Sequence, residues 1–405
     1  MEILNKLKIL TDAAKYDVCA SSACSQSNWG SKGFGNMSRM GVCHSFTPDG
    51  RCISLFKVLL TNQCINDCLY CINRKSNDRL KTCFGERELA DLFIQFYKRN
   101  YVEGLFLTSG IYKNSEETME RMIKVIEILR FEYQFRGYIH LKVLPGVSPG
   151  LINKGAVLAN RMSINLECPT TNKLELICPE KDFKHDLIAP MLSMKKIIKN
   201  DKTKIPAGQT TQMIIGASGE NDREIITTSA WLYQKVNLCR IYYSAFIPVN
   251  QASNLPVKEP VSLKRESRLY QADWLMRRYG FAFQELPFDQ TGNLPLDFDP
   301  KMAWAILNLD KFPIEINKAS YRALLRIPGI GEISARRIIK LRKDFHITSL
   351  EELKNIGVVL KRAVNFILIK GKYFGQASFN NKILPILGEN SLLPNQNQEQ
   401  LAFAL

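Results

Sequence analysis

The chain has 405 residues, 45% of them hydrophobic and 10% aromatic, enough apolar material for two or three packed domains and too much for a disordered or collagen-like polymer. No run of 18 uninterrupted apolar residues occurs, which excludes a spanning helix, and the charged start Met1-Glu2-Ile3-Leu4-Asn5-Lys6 does not match a secretory signal. The expected location is the cytoplasm, with no membrane contact. There the 11 cysteines, an odd number in a reducing compartment, point to thiolate chemistry or metal binding rather than a disulfide framework. A formal charge of +16 favours a polyanionic partner.

Residues 1–50 form an N-terminal cysteine-containing segment. Cys19, Cys24, Cys43 and Cys52, with His44 beside Cys43, are either ordinary thiols or the ligands of an auxiliary cluster or zinc ion, and the Gly- and Ser-rich stretch 30–41 reads as a loop. From 51 to 250 six β-rich runs alternate with amphipathic stretches such as 86–100 and 116–135. The runs are ISLFKVLLT (53–61), LFLTSG (105–110), IHLKVLPG (139–146), MSINLECPT (162–170), TTQMIIGASGE (210–220) and CRIYYSAFIPV (239–249). Alternation of this kind means βα units on a parallel sheet. The expected fold is α/β, a partial (β/α)6 barrel whose reactive groups sit on loops after the strand C-termini; an open doubly wound sheet is the alternative. Residues 251–312 read as a helical connector, with helices at 262–279 and 300–308. Residues 376–405, polar and biased at 395–400, read as a flexible tail.

The sharpest chemical signal is Cys64, Cys68 and Cys71, a C-x3-C-x2-C spacing directly after the first barrel strand. Three thiolates on one tight loop suit three irons of a [4Fe-4S] cluster, a cluster type usually held by four cysteines, which leaves one iron without a protein ligand. A structural zinc site is the alternative: Cys68 and Cys71 would form its C-x2-C half, with Cys64 and Cys83 to complete it. Cys83, Cys168, Cys178 and Cys239 show no ligand spacing of their own.

This loop resembles that of the radical S-adenosylmethionine (SAM) enzymes, CxxxCxΦC after the first strand of a β/α barrel, with Tyr70 as Φ. The resemblance implies that the open iron binds SAM and that an electron, from an external donor, cleaves it to a 5′-deoxyadenosyl radical. It also implies roles at other strand ends. Thr108, Ser109 and Gly110 match the glycine-rich motif that receives the amino group, and Asn165 and Glu167 match the polar residues that hold the ribose hydroxyls. The 214–220 segment is similar to the adenine-contacting motif, with a Gly-to-Glu220 spacing that departs by a residue.

Residues 313–375 carry 13 Lys and Arg against 5 Asp and Glu, a net of +8 and half the charge of the whole chain. The stretch 323–339 reads as helix, Pro-Gly-Ile-Gly turn, helix. Gly329 and Gly331 permit positive φ and close backbone approach, Ile330 plugs the core between them, and the free N–H groups of the second helix make a phosphate site. The pattern returns 28 residues later, where Leu325, Gly329, Ile330, Ala335 and Ile339 recur as Leu353, Gly357, Val358, Ala363 and Ile367; Val359 stands where the second glycine would be. The pair resembles a small all-α tandem helix-hairpin-helix domain, which implies sequence-independent binding of duplex DNA backbone through Gly329, Ile330, Gly331, Ser334, Arg336 and Arg337.

The full arrangement, including the segment 41–52 and the helix at 268–274, resembles the family of radical SAM proteins of DNA modification or repair that is genomically linked to a uracil-DNA-glycosylase-like partner. Two other functions fit the same residues: an RNA-modifying radical SAM enzyme, for instance a methylthiolase, and a non-catalytic DNA-bound iron–sulfur redox or sensor protein.

Overall fold

The computed structural model describes residues 1–14, 42–46, 52–249 and 254–376. The chain divides into two compact units, one of residues 1–220 with 228–262, the other of residues 221–227 with the chain from 263 onward. Cys19, Cys24 and the tail beyond 376 lie outside the described residues.

In chain order the first part runs α1 (Ile3–Ala14), β1 (Val42–Phe46), β2 (Cys52–Leu59), α2 (Glu86–Lys98), β3 (Gly104–Thr108), α3 (Ser115–Glu127), β4 (Tyr138–Lys142), α4 (Pro149–Leu158), β5 (Arg161–Ser163), α5 (Thr171–Glu175), α6 (Ala189–Asn200), β6 (Gln209–Ile215), α7 (Asp222–Trp231) and β7 (Arg240–Ala245). The seven strands form one sheet in sequence order. It is parallel from β2 to β7, each strand beside the next, and it curls into a half-barrel. All six strands read from the sequence are therefore present, in a partial (β/α)6 barrel rather than an open doubly wound sheet.

Helix α2 shows why the sheet is covered on its outer face. Leu89, Phe93 and Phe96 recur at helical spacing and are buried, and the Phe56 ring of β2 stacks on Phe96 at 4.9 Å between centroids. Strand alternation then turns Leu55 and Lys57 to the inner face. At its start Glu88 accepts from the Gly85 amide at 3.0 Å, satisfying one of the donors a helix N-terminus leaves open. The side chain of Asn114 does the same for α3, accepting from Glu117 N at 2.8 Å.

Two elements at the N-terminus were not expected. α1 buries Leu7, Leu10, Ala13 and Ala14, and β1 adds an antiparallel edge to β2, with Cys43 opposite Leu55 and Phe46 opposite Cys52. Cys43 packs on Ile53, Leu55 and Phe106, whereas Cys52 is exposed. They sit three ladder steps apart, about 10 Å, too far to share one metal ion.

The 162–170 run is a shorter strand than expected. β5 stops at Ser163 because the Thr211 hydroxyl enters the ladder, donating to Ile164 O at 2.7 Å and accepting from Leu166 N at 3.0 Å. A side chain that substitutes for a main-chain partner interrupts regular pairing.

The second unit holds α8 (Leu263–Tyr279), α9 (Pro300–Leu307), β8 (Ile314–Glu315), α10 (Tyr321–Arg326), α11 (Glu332–Asp344), α12 (Leu350–Asn355), α13 (Leu360–Ala363), β9 (Ile367–Ile369) and β10 (Lys372–Tyr373). Helices α10/α11 and α12/α13 are the two hairpins. The sequence reading omitted the small sheet β10-β9-β8, whose strands of two or three residues are too short to leave a periodic signal. The helices read as a connector, α8 and α9, belong to the same compact unit as the hairpins. None of the described helices is long and apolar enough to cross a membrane.

Candidate functional site

The cysteine loop leaves the carboxyl end of β2 and is tied at once to the end of β3. Leu60 N donates to Thr108 O at 2.9 Å, Gly110 N to Thr61 O at 2.8 Å and Ile65 N to Ile111 O at 2.8 Å. A Cβ on Gly110 would lie 2.4 Å from Gln63 O, so no larger residue fits there without moving the loop. Thr108 is buried, and Ser109 turns its hydroxyl to Gly110 O at 2.7 Å.

Inside the loop Asp67 is the hub. Its carboxylate accepts two bonds from Arg74, one of them from Nε at 2.8 Å, and two from Ser76, at 3.0 Å from N and 2.7 Å from Oγ. The Arg74 guanidinium holds the Asp67 carboxyl well below the usual carboxylate range. This forked, charge-assisted pairing fixes the turn on which Cys64, Cys68 and Cys71 stand. Cys68 is buried and the other two are half-buried.

A second segment, far away in sequence, closes on the loop. Leu69 N donates to Ile177 O at 2.8 Å and Asp67 N to Glu180 Oε1 at 3.1 Å. This brings Cys178 Sγ to 2.9 Å from Cys68 Sγ. The Lys181 ammonium arrives with it, 3.1 Å from the Tyr70 hydroxyl, 3.8 Å from Glu167 Oε1 and over the Tyr70 ring. Among the described residues, Cys68, Cys178 and Glu180 form the group of cysteine, histidine and carboxylate side chains whose ligand atoms lie within 4.8 Å of one another.

The electrostatics follow from this enclosure. Burial alone would lower the pKa of Lys181, yet the sulfurs of Cys68 and Cys178 and the Glu167 carboxylate outweigh it, holding the ammonium well above its ordinary value and protonated. Hydrogen bonding with Cys178 draws the Cys68 thiol down to about 7 against the opposing effect of burial, with Lys181 assisting. The same bond and burial push Cys178 up. Burial pushes Cys64 and Cys71 up.

Asn165 and Glu167 lie just past the end of β5, not on it. Glu167 takes φ +66°, a left-handed conformation that costs a non-glycine residue about 1–3 kcal/mol. It is buried, and its Oε2 has no hydrogen-bond partner among the described residues. A buried carboxylate oxygen without a donor is unfavourable in a finished fold and suits a ligand hydroxyl. Asn165 Oδ1 accepts from Lys142 Nζ. Glu220 is taken up by its own loop instead: both carboxylate oxygens accept, from Gly216 N, from Ser218 N at 3.1 Å and from Ser218 Oγ at 2.7 Å.

Cys83, the fourth ligand expected for a zinc site, is engaged elsewhere. Cys83 Sγ turns to Phe84 O at 3.1 Å and receives Arg121 at 3.4 Å. Three thiols from one loop, a buried ammonium beside them and an unsatisfied buried carboxylate oxygen form a donor set that fits an iron–sulfur cluster with a polar organic ligand at its side.

In the second unit Gly329 has φ +82° and Gly357, its counterpart, φ +93°. A Cβ on Gly329 would lie 2.5 Å from Val359 O, and Val359 N donates back to Gly329 O at 3.0 Å, so the two hairpin turns touch through main chain. Gly331 departs from expectation. It is extended (φ −101°, ψ −178°) and caps α11 without a side chain. Ile330 is buried and its carbonyl accepts from the buried Lys301. Ser334, also buried, donates to Gly357 O at 2.8 Å, and Arg337 donates to Ile356 O at 3.2 Å. These two residues are engaged with the second hairpin. Arg336 is exposed, paired only loosely with Glu332 at 3.3 Å, beside the first-turn amides that an α-helix leaves without intrahelical acceptors.

Sequence reasoning missed Cys178, Lys181 and the Asp67–Arg74 hub. The only signal available was that residues 177–181 follow the fourth strand and so return to the same rim of the barrel.

A family model described as helix-hairpin-helix motif matches residues 311–364. No curated protein matches the chain. Solved structures similar at low identity include the following three. One is HydG, a maturase of the [FeFe]-hydrogenase, at 13% identity over 54% of this chain and 48% of that one, with a TM-score of 0.41. The second is methylornithine synthase (PylB), at 13% over 52% and 59%, with a TM-score of 0.42. The third is a radical SAM methyltransferase from Sphaerobacter thermophilus, at 13% over 56% and 68%, with a TM-score of 0.40. The chain spans about half the length of the first of these.

Proposed function

We propose that the protein is a radical SAM enzyme that binds DNA through its hairpins and modifies or repairs it. What supports the reading is the spacing of Cys64, Cys68 and Cys71 on one loop after β2, a loop whose Tyr70 hydroxyl meets Lys181, itself 3.8 Å from Glu167. Those three thiolates would hold a [4Fe-4S] cluster, which with SAM and one electron from an external donor would supply a 5′-deoxyadenosyl radical able to take hydrogen from an unactivated C–H bond.

The chain's own residues do the holding. Lys181 offsets the negative charge of the thiolates in a buried setting where such charge is costly. Asp67 and Arg74 keep the loop in one conformation. Tyr70 presents a ring whose hydroxyl is already bonded to Lys181. Gly110 keeps its carbonyl and amide within the turn without a side chain in the way, and Glu167 Oε2 offers an acceptor to a ribose hydroxyl. In the second unit Gly331, with the α11 amides and Arg336, offers a phosphate site that carries no base information. A uracil-DNA-glycosylase-like protein is the partner this reading suggests.

The test is nucleoside mass spectrometry of duplex DNA and of RNA incubated anaerobically with reconstituted protein, dithionite and SAM. A new DNA nucleoside, dependent on SAM and absent with Cys68→Ala, is the expected result. A change confined to RNA would move the substrate to RNA, and 5′-deoxyadenosine formation with both nucleic acids unaltered would overturn the nucleic-acid assignment.

A further inference from the structure

Cys178 is absent from the cluster motif and lies 110 positions from Cys68, yet their sulfurs stand 2.9 Å apart. One main-chain bond and one bond to a side chain hold the two segments together. The Leu69 N–Ile177 O bond of 2.8 Å and the Asp67 N–Glu180 Oε1 bond of 3.1 Å clamp the two segments on either side of the pair, and Cys178 N is itself fixed to Leu174 O at 2.7 Å. Both residues are buried, as are Leu69, Leu174 and Ile177 nearby in the two segments, so a small oxidant reaches them more readily than a second protein does.

The geometry points to Cys68 and Cys178 as a reversible redox pair: when the loop carries no iron, peroxide joins them in a disulfide that withholds Cys68 from iron until a thiol reductant opens it. The inference rests on the reading of Cys68 as a cluster ligand. Peroxide oxidises one thiol to a sulfenic acid and leaves as one water; the neighbouring sulfur then attacks that sulfur, the S–S bond forms and the hydroxyl departs with the second thiol's proton as another water. Two electrons pass from the two sulfurs to the peroxide. The sulfurs need to close by about 0.9 Å to reach bonding distance. A disulfide sulfur is no thiolate and does not ligate iron as one. The bond also spares Cys68 the further, irreversible step to sulfinic acid.

The experiment uses the full chain, stripped of iron anaerobically by chelation and then treated with hydrogen peroxide. Peptide mass mapping without reduction is expected to find a Cys68–Cys178 linked peptide as the main oxidised species, with two fewer titratable thiols per chain, both recovered with dithiothreitol. Iron uptake during later reconstitution is expected to fall about tenfold and to return after dithiothreitol. In Cys178→Ser, iron uptake before peroxide is the reference for that variant, and after peroxide Cys68 should appear as sulfinic acid with a loss from that reference that dithiothreitol does not repair. Cys68 in the original chain as sulfinic acid with Cys178 unmodified, or either cysteine linked elsewhere, would overturn the pair. So would a Cys178→Ser chain that folds but takes up no iron before peroxide, since Cys178 would then be a ligand. If the linked peptide forms but the original chain never takes up iron, the cluster reading fails and the thiol pair stands.

Discussion

The cysteine loop and the first hairpin turn are both short, sharply bent segments that present a binding face, and they are held by opposite means. The loop depends on side chains: four bonds converge on Asp67, and Lys181 stands among sulfurs and carboxylate. The hairpin turn depends on main chain: Gly329 O receives Val359 N, and the Gly329 Cα lies so close to Val359 O that a Cβ would stand 2.5 Å from it. A site made of side chains concentrates its chemistry in a few atoms, so one substitution removes it. A site made of backbone spreads its function over a shape, and is damaged by volume rather than by the loss of a functional group.

The largest effect expected from that contrast is at the thiolates. Cys71→Ala should reduce 5′-deoxyadenosine formation to the level seen without protein, while DNA affinity, read by fluorescence anisotropy, stays within about twofold. Equal loss of both would break the comparison.

Next is Gly329→Val. The added side chain meets Val359 O at 2.5 Å and must adopt φ +82°, which should cost about 2–4 kcal/mol in the stability of the second unit. DNA affinity should fall sharply and SAM cleavage persist. An unchanged melting profile and unchanged affinity would contradict the close main-chain contact.

Lys181→Met should follow. It leaves all three thiols in place but removes the buried cation beside them, so iron content should drop, with 5′-deoxyadenosine falling about tenfold. Lys181→Arg should recover part of the loss; a wild-type yield from the methionine variant would mean the ammonium is a bystander.

The smallest effect belongs to Arg336→Ala. This side chain is 70% exposed, so it should weaken DNA binding modestly and lower the salt slope of log affinity by about 1. An Arg337→Ala variant should behave differently, because Arg337 donates to Ile356 O; a stability loss without a change in salt slope is expected there.

What the sequence made legible was whatever is local along the chain. The six strands alternated at regular spacing, the three cysteines shared eight residues, and the 28-residue repeat marked two hairpins. What it hid depends on residues that meet only in the fold. Cys178 and Lys181 carry no motif, and reach Cys68 and Tyr70 because the loop after β5 returns to the rim where β2 ends. The stop of β5 at Ser163 was hidden for the same reason, being set by a hydroxyl on Thr211, one strand away. Ser334 and Arg337 read as phosphate contacts because they sit on the helix that follows the turn; only the second hairpin shows that they face it. Glu167 was legible as polar and near the rim, but its left-handed backbone and open oxygen were not.

The central claim is that the loop of Cys64, Cys68 and Cys71 holds a cluster able to split SAM. It is tested most directly by metal analysis and product quantification on the same anaerobically reconstituted, dithionite-reduced sample. The account predicts about four irons per chain at the loop, with 5′-deoxyadenosine accumulating only when SAM is present. A chain that retains zinc there, admits no iron and forms no 5′-deoxyadenosine would contradict it.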